Sequence, residues 1–225
     1  MSIKYSYKQP IQFAFLFGLI WLLIIGLELI RLGKLYSPAE AYSIVRKAGV
    51  TMPDLVRAEK SGDMTEPFKE RLMLAVTEVN GCRLCSWAHT KVALEAGLSD
   101  AEIKDLLAGQ AGNTPQEELP AVLFAQHYAD ARGNPSPEAW AKIVARYGHA
   151  RALAILGAVR GIMLGNTYGI PLGSLLSRLR GKRTGIDARS SLAYEIGMLT
   201  SAVILIPIAL LHALAARLLH VRVEP

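Results

Sequence analysis

The two cysteines of this 225-residue chain, Cys82 and Cys85, stand three residues apart, and His89 follows four residues after the second. On a helix, residues three and four apart share a face. The spacing lines two thiols and an imidazole along one face within about two turns. Thiolate is the reactive form of cysteine, and a helix N-terminus and a neighbouring imidazolium both favour it. Gly81 breaks the chain just before Cys82, which places Cys82 in the first turn of its helix. Cys85 has His89 one turn on. Two thiols at this spacing can also close a disulfide once one is oxidised, giving a two-electron cycle. Glu70 and Glu78 lie on the segment leading in, and spacing alone does not choose between them as acid–base partner.

Three other readings of the pair stand beside the redox one. Buried cysteines can be small hydrophobes, which leaves their spacing and the adjacent histidine unexplained. Cys-x-x-Cys is half of a zinc site. No second pair exists, and His127, His149, His212 and His220 show no ligand spacing to one another. A site of Cys82, Cys85, His89 and one carboxylate stays open. A thioredoxin-type motif needs a strand leading into the helix, and the segment leading in here reads as helix.

The elements that must position these residues are all helical. Ser37-Pro38-Ala39-Glu40 reads as a helix start, with a short helix over 38–48 and another opening at Pro53. Thr65-Glu66-Pro67 opens the helix that Asn80-Gly81 ends. Cys82–Ala96 is the next, closed by Gly97. Another runs from Asp100 to about Ala108, followed by a loop over 109–114 and a helix over 115–132. After the turn Gly133–Pro137 come helices over 137–147 and 148–168, the latter rich in small residues, with its end loosened at Gly169-Ile170-Pro171. A short amphipathic helix over 174–180 follows. The chain shows no strand-period segment, internal repeat or glycine-rich phosphate loop, so an all-α domain is expected.

Composition adds a membrane. The chain is 52% hydrophobic with mean hydropathy +0.28, and two runs carry the excess, Ile11–Ile30 and Ile196–Ala216. Each is long enough to cross a bilayer core. Arg31-Leu32-Gly33-Lys34 follows the first with no small-residue cleavage site, which reads as an uncleaved anchor. The expected organisation is a tail over 1–10, a transmembrane helix over 11–30, a helical domain over 35–177, a basic linker over 178–191 and a transmembrane helix over 192–218. Pro207 is tolerated inside such a helix. The net charge of +6 does not belong to the domain, whose residues 35–177 hold 14 Lys/Arg against 15 Asp/Glu. The surplus flanks the apolar runs at Arg31, Lys34, Arg178, Arg180, Lys182, Arg183 and Arg189, suiting lipid headgroups rather than nucleic acid. Set against Lys4, Lys8, Arg217 and Arg222, this bias places the domain on the cytoplasmic side of a two-pass protein, the bacterial inner membrane being the expected location. That side is reducing, which argues against a purely structural disulfide. Glu28 and Glu195, at the domain-side ends of the runs, are expected to be solvated in the interface.

The stretch KERLMLAVTEVNGCRLCSWAHTKVALEAGLSDAEI resembles the alkylhydroperoxidase D-like branch of the carboxymuconolactone decarboxylase family. That branch carries a glutamate twelve residues before a Cys-x-x-Cys and a histidine four after the second cysteine. Glu70, Cys82, Cys85 and His89 match it. Gly165-Asn166-Thr167 looks like the family's closing helix, so the resemblance covers about residues 40–170. It implies an all-helical fold assembling as homo-oligomers. It also implies that Cys85 attacks a peroxide, Cys82 resolves the product as a disulfide, and His89 and Glu70 relay the protons. Organic or lipid hydroperoxides, and a thiol reductant or partner redox protein, are the implied partners; no cofactor or metal is expected. Leu84 departs from the family, whose best-studied members carry a histidine between the cysteines, and the apolar runs depart from its soluble members. The expectation is a membrane-anchored thiol peroxidase. A dithiol reductase serving a partner peroxidase, and a non-enzymatic membrane module on the same fold, are the alternatives.

Overall fold

The computed structural model describes residues 35–221 and Pro225. The N-terminal tail, the run Ile11–Ile30, Glu28, Arg31, Lys34 and Arg222 lie outside the described residues. Among the described residues every regular element is helical: α1 Pro38–Ser61, α2 Glu66–Asn80, α3 Arg83–Glu95, α4 Asp100–Leu107, α5 Leu119–Asp130, α6 Pro137–Tyr147, α7 His149–Leu179, a 3-10 turn Arg183–Gly185, and α8 Leu192–Leu218. The domain is all-α.

Helix starts follow the cap residues. Ser37 forms a capping box at α1: its hydroxyl accepts from the Glu40 N–H at 3.3 Å, and the Glu40 carboxylate accepts from the Ser37 N–H at 2.8 Å. Thr65, Ser99, Ser136 and Ser191 cap α2, α4, α6 and α8. Each such cap is worth about 1 kcal/mol.

Two prolines expected to open or interrupt helices do neither. Pro53 lies inside the continuous helix α1, and Pro171 lies inside α7, which also absorbs the separate 174–180 helix. A proline removes one helical hydrogen bond. Here each helix is packed along its length, and burial on both sides of the proline outweighs the missing bond.

The 31-residue α7 is the axis of the domain and packs against α1, α2, α3, α5, α6 and α8. Its small residues set the spacing. A Cβ on Gly157 would lie 2.9 Å from the Thr51 carbonyl oxygen and 2.9 Å from the Leu55 Cβ, so α1 and α7 touch backbone to backbone there. Around this seam the core collects Phe68, Leu72, Leu106, Ile155, Leu156 and Met163.

Two described helices are long and apolar enough to cross a membrane, α7 and α8. They differ in setting: 72% of the apolar window in α7 is buried inside the protein, against 17% in α8. α7 is therefore a core helix, and α8 is the one whose apolar surface faces outward. α8 runs parallel to α1 and is tied to it near both of its own ends. The Tyr194 hydroxyl donates to the Tyr36 carbonyl at 3.1 Å, Ala213 abuts Gly49, and Arg217 pairs with Asp54 at 3.0 Å.

Glu195 corrects an expectation. It is fully buried, not solvated in an interface. Arg178 donates to both its carboxylate oxygens at 2.9 and 3.0 Å, and the Ser190 hydroxyl donates at 2.8 Å. A buried carboxylate needs such partners, and these fasten the end of α7 to the start of α8.

Candidate active site

Gly81 makes the corner on which the site is built. Its φ of 73° lies in the left-handed region, where it ends α2 and turns the chain into α3. Cys82 is then the N-cap of α3: its Sγ accepts from the Cys85 N–H at 3.3 Å. Both sulfurs therefore sit at the positive end of a helix, where thiolate is favoured. They are joined as a disulfide across a Cα–Cα distance of 5.3 Å. Cys82 is completely buried, whereas Cys85 keeps 8% of its surface exposed.

His89, one turn beyond Cys85, reaches across to α2. Its Nδ1 lies 2.8 Å from Glu70 Oε2. A carboxylate only accepts, so Nδ1 carries the proton and Nε2 is left to take or give one. Glu70 is buried, and His89 is partly open to solvent. The structure thus brings Glu70, and not Glu78, to His89. Glu78 lies against Gly109, on another face of α2, with its carboxyl pushed up by burial. Arg71, next to Glu70, ties α2 to neighbouring segments through Glu102 at 2.6 Å and Glu118 at 2.9 Å.

Three features of the site were not read from the sequence. The first is Gly169 of α7, on which the disulfide rests: a Cβ there would stand 2.6 Å from the Cys85 Sγ and 2.8 Å from the Cys82 Sγ. The signal was present as glycine at every fourth position, 157, 161, 165, 169 and 173, a row that lets neighbouring helices approach closely. The second is the polar floor between α2 and α7, where the Thr77 hydroxyl donates to Asn166 Oδ1 at 3.2 Å. The third is the segment 181–190. It is more than a basic linker, because it straps the start of α3. Arg83 donates to the Thr184 carbonyl, the Asp187 N–H to the Ser174 hydroxyl at 3.1 Å, and Arg189 to the Asn80 carbonyl at 3.0 Å. Burial raises the Asp187 carboxyl, but hydrogen bonds from Arg189 outweigh it and hold the group below the usual range. Under the strap, a small pocket is bounded by Gly81, Arg83, Leu84, Gly169 and Asp187. Leu84, at the position between the cysteines, packs on Gly173 at 3.2 Å from where a Cβ would stand. Among the described residues no cluster of three or more His, Cys, Asp or Glu is arranged to hold a metal ion.

The fold and the site together define a helical dithiol domain in which a buried carboxylate holds an imidazole one turn from the cysteine pair. Residues 46–134, from within α1 to the turn after α5, match the model of the carboxymuconolactone decarboxylase family. The match contains Glu70, Cys82, Cys85 and His89, and it ends before Gly165-Asn166-Thr167. No curated protein and no solved structure gives a significant match to the chain.

Proposed function

We propose that this chain is a membrane-associated thiol peroxidase that reduces hydroperoxides through Cys85 and Cys82. The observation that carries the reading is the Glu70–His89 hydrogen bond one turn from a cysteine pair that closes as a disulfide. In the reduced state the Cys85 thiolate attacks one oxygen of a hydroperoxide. The O–O bond breaks, and the departing alkoxide takes a proton through His89 and leaves as an alcohol or water. Cys85 is then a sulfenic acid. The Cys82 thiol attacks its sulfur, water leaves, and the disulfide forms. The two electrons come from the two thiols, and an external thiol or dithiol must return them. Cys85 suits the attacking role because it is the sulfur with access, and Cys82, buried at the N-cap, suits the resolving role.

The outward apolar surface of α8 supports attachment to a membrane, and the basic residues at its start suit anionic headgroups. Trp87, 70% exposed on α3, with Leu94 exposed two turns on, gives a seat for the expected contact between subunits. Consumption of cumene hydroperoxide by the reduced, detergent-solubilised chain tests the assignment. Cys85→Ser is expected to abolish turnover, and persistent turnover in that variant overturns it.

A further inference from the structure

We propose that α8 lies along the membrane surface, outward face in the lipid, and that α1 and α7 ride on its inner face rather than α8 crossing the bilayer. The inference rests on the membrane association proposed above and sets its geometry.

The outward face is mostly apolar, interrupted by Thr200, whose hydroxyl is bonded back to the Ile196 carbonyl, with His212 exposed nearby. Ile196, Val203, Ile204, Leu211, Leu214 and Leu218 are all exposed, and no Asp, Glu, Lys or Arg occurs from Ile196 to Ala216. An apolar surface this long does not stay in water. The inner face is committed to the domain: Tyr194, Met198, Ala209, Ala213 and Ala216 are buried against it.

What decides between lying and crossing is the helix alongside. α1 runs parallel to α8 and carries Arg46 and Lys47 alongside its apolar run and Asp54 at its far end. The two are tied at the start by Tyr194 to Tyr36, and along the last third of α8 by Tyr42 to His212 and by Arg217 to Asp54 and the Val50 carbonyl. If α8 crossed the bilayer in this arrangement, the charges of α1 would be drawn to the level of the hydrocarbon, a costly place for them. Laid in the interface, α8 buries its apolar side and leaves α1 on the water side.

Charge complements the lipid. Arg180, Lys182 and Arg183 are exposed just before α8, next to exposed Leu179, and suit anionic headgroups. The apolar surface continues into an open cleft between α1, α7 and α8, lined by Gly49, Met52, Val56, Leu164 and Leu210.

The test is depth. Single cysteines at Ile196, Val203, Ile204, Leu211 and Leu214 of the full chain carry an environment-sensitive fluorophore; the native disulfide withholds Cys82 and Cys85 from the label. The protein is reconstituted into phosphatidylethanolamine vesicles containing phosphatidylglycerol, with lipids bearing quenchers at different depths. The outward positions are expected to share one shallow depth, about 5–10 Å below the headgroup boundary, while labels at Ala209 or Ala213 escape quenching. A crossing helix would instead spread Ile196 and Leu214 over about 27 Å of depth. That sweep would overturn the in-plane placement and leave membrane association standing. Absence of lipid quenching at every position would overturn the in-plane placement, and failure of the full chain to float with the vesicles would overturn membrane association as well.

Discussion

Replacing Gly169 by alanine sets two known effects against each other at the site itself. In a helix interior, alanine is favoured over glycine by about 0.5–1 kcal/mol. At Gly169 the new Cβ would stand 2.6 and 2.8 Å from the two cysteine sulfurs, so each must retreat by about 0.6–0.8 Å to reach ordinary contact. The sulfurs are not free to do so: both belong to the first turn of α3, and Cys82 caps it. α3 and α7 must part instead, and overpacking of this kind costs about 1–3 kcal/mol. The packing penalty therefore exceeds the propensity gain, and Gly169→Ala is expected to destabilise the oxidised protein. Gly165→Ala supplies the reference. It lies one turn earlier on the same helix, is exposed, and would meet nothing nearer than the Ile162 Cδ1 at 3.5 Å, so it should gain the full propensity term. The two variants should differ by about 1–3 kcal/mol in denaturant unfolding, or about 2–12 °C in Tm for a chain of this size. Gly169→Ala should also slow peroxide turnover, because the sulfurs shift relative to His89. Equal stability of the two variants would refute the close seating of the cysteine pair on α7.

Three further outcomes follow from named contacts. Glu70→Gln keeps the shape of the buried side chain but loses the carboxylate that fixes the His89 tautomer; peroxide turnover is expected to fall toward the lower end of the ~10²–10⁴ range for acid–base groups, and an unchanged rate in stopped-flow assays would remove Glu70 from the relay. Glu195→Ala leaves Arg178 facing a buried site without its partner, with an expected loss of about 2–3 kcal/mol in denaturant unfolding; a loss under about 0.5 kcal/mol, the size of an ordinary surface substitution, would show that the pair does not fasten α8. Burial pushes the Tyr36 hydroxyl up to about 12 from its ordinary 10.0, and it donates to Asn80 Oδ1 at 2.6 Å. Its folded value is the higher one, so its stabilising contribution is complete below pH 10 and is lost as pH rises through 12. Alkaline unfolding should steepen in that window, and Tyr36→Phe should remove the added slope.

The cysteine site was legible because its chemistry is local. Cys82, Cys85 and His89 sit on one short helix, so helical spacing alone brings them to one face, and the glycine break before them marks the helix start. Spacing alone left Glu70 and Glu78 open, and only the family resemblance singled out Glu70, because the contact that brings it to His89 is between two helices. Caps were legible for the same local reason, as Ser37, Thr65 and Ser99 act within one turn. Pro53 and Pro171 misled because proline is a statement about one hydrogen bond, whereas α1 and α7 are held by packing along their whole lengths. Glu195 misled in the same way: at the head of an apolar run a carboxylate reads as an interface residue, and only the fold brings Arg178 and Ser190 to it. The strap over the site was the least legible of all. Its residues are basic and glycine-containing, the composition of a linker, and its role comes from backbone carbonyls at Asn80 and Thr184 that no side-chain pattern records. One consequence bears on the apolar run that begins beside Glu195. Hydropathy reports that a helix is apolar enough to cross a bilayer, and it is silent on what lies beside it. The pairing of Arg217 with Asp54 sets the far end of α8 against a charged helix. On the in-plane placement proposed above, α8 satisfies its hydropathy in the interface, its inner face against the domain and its outer face in lipid.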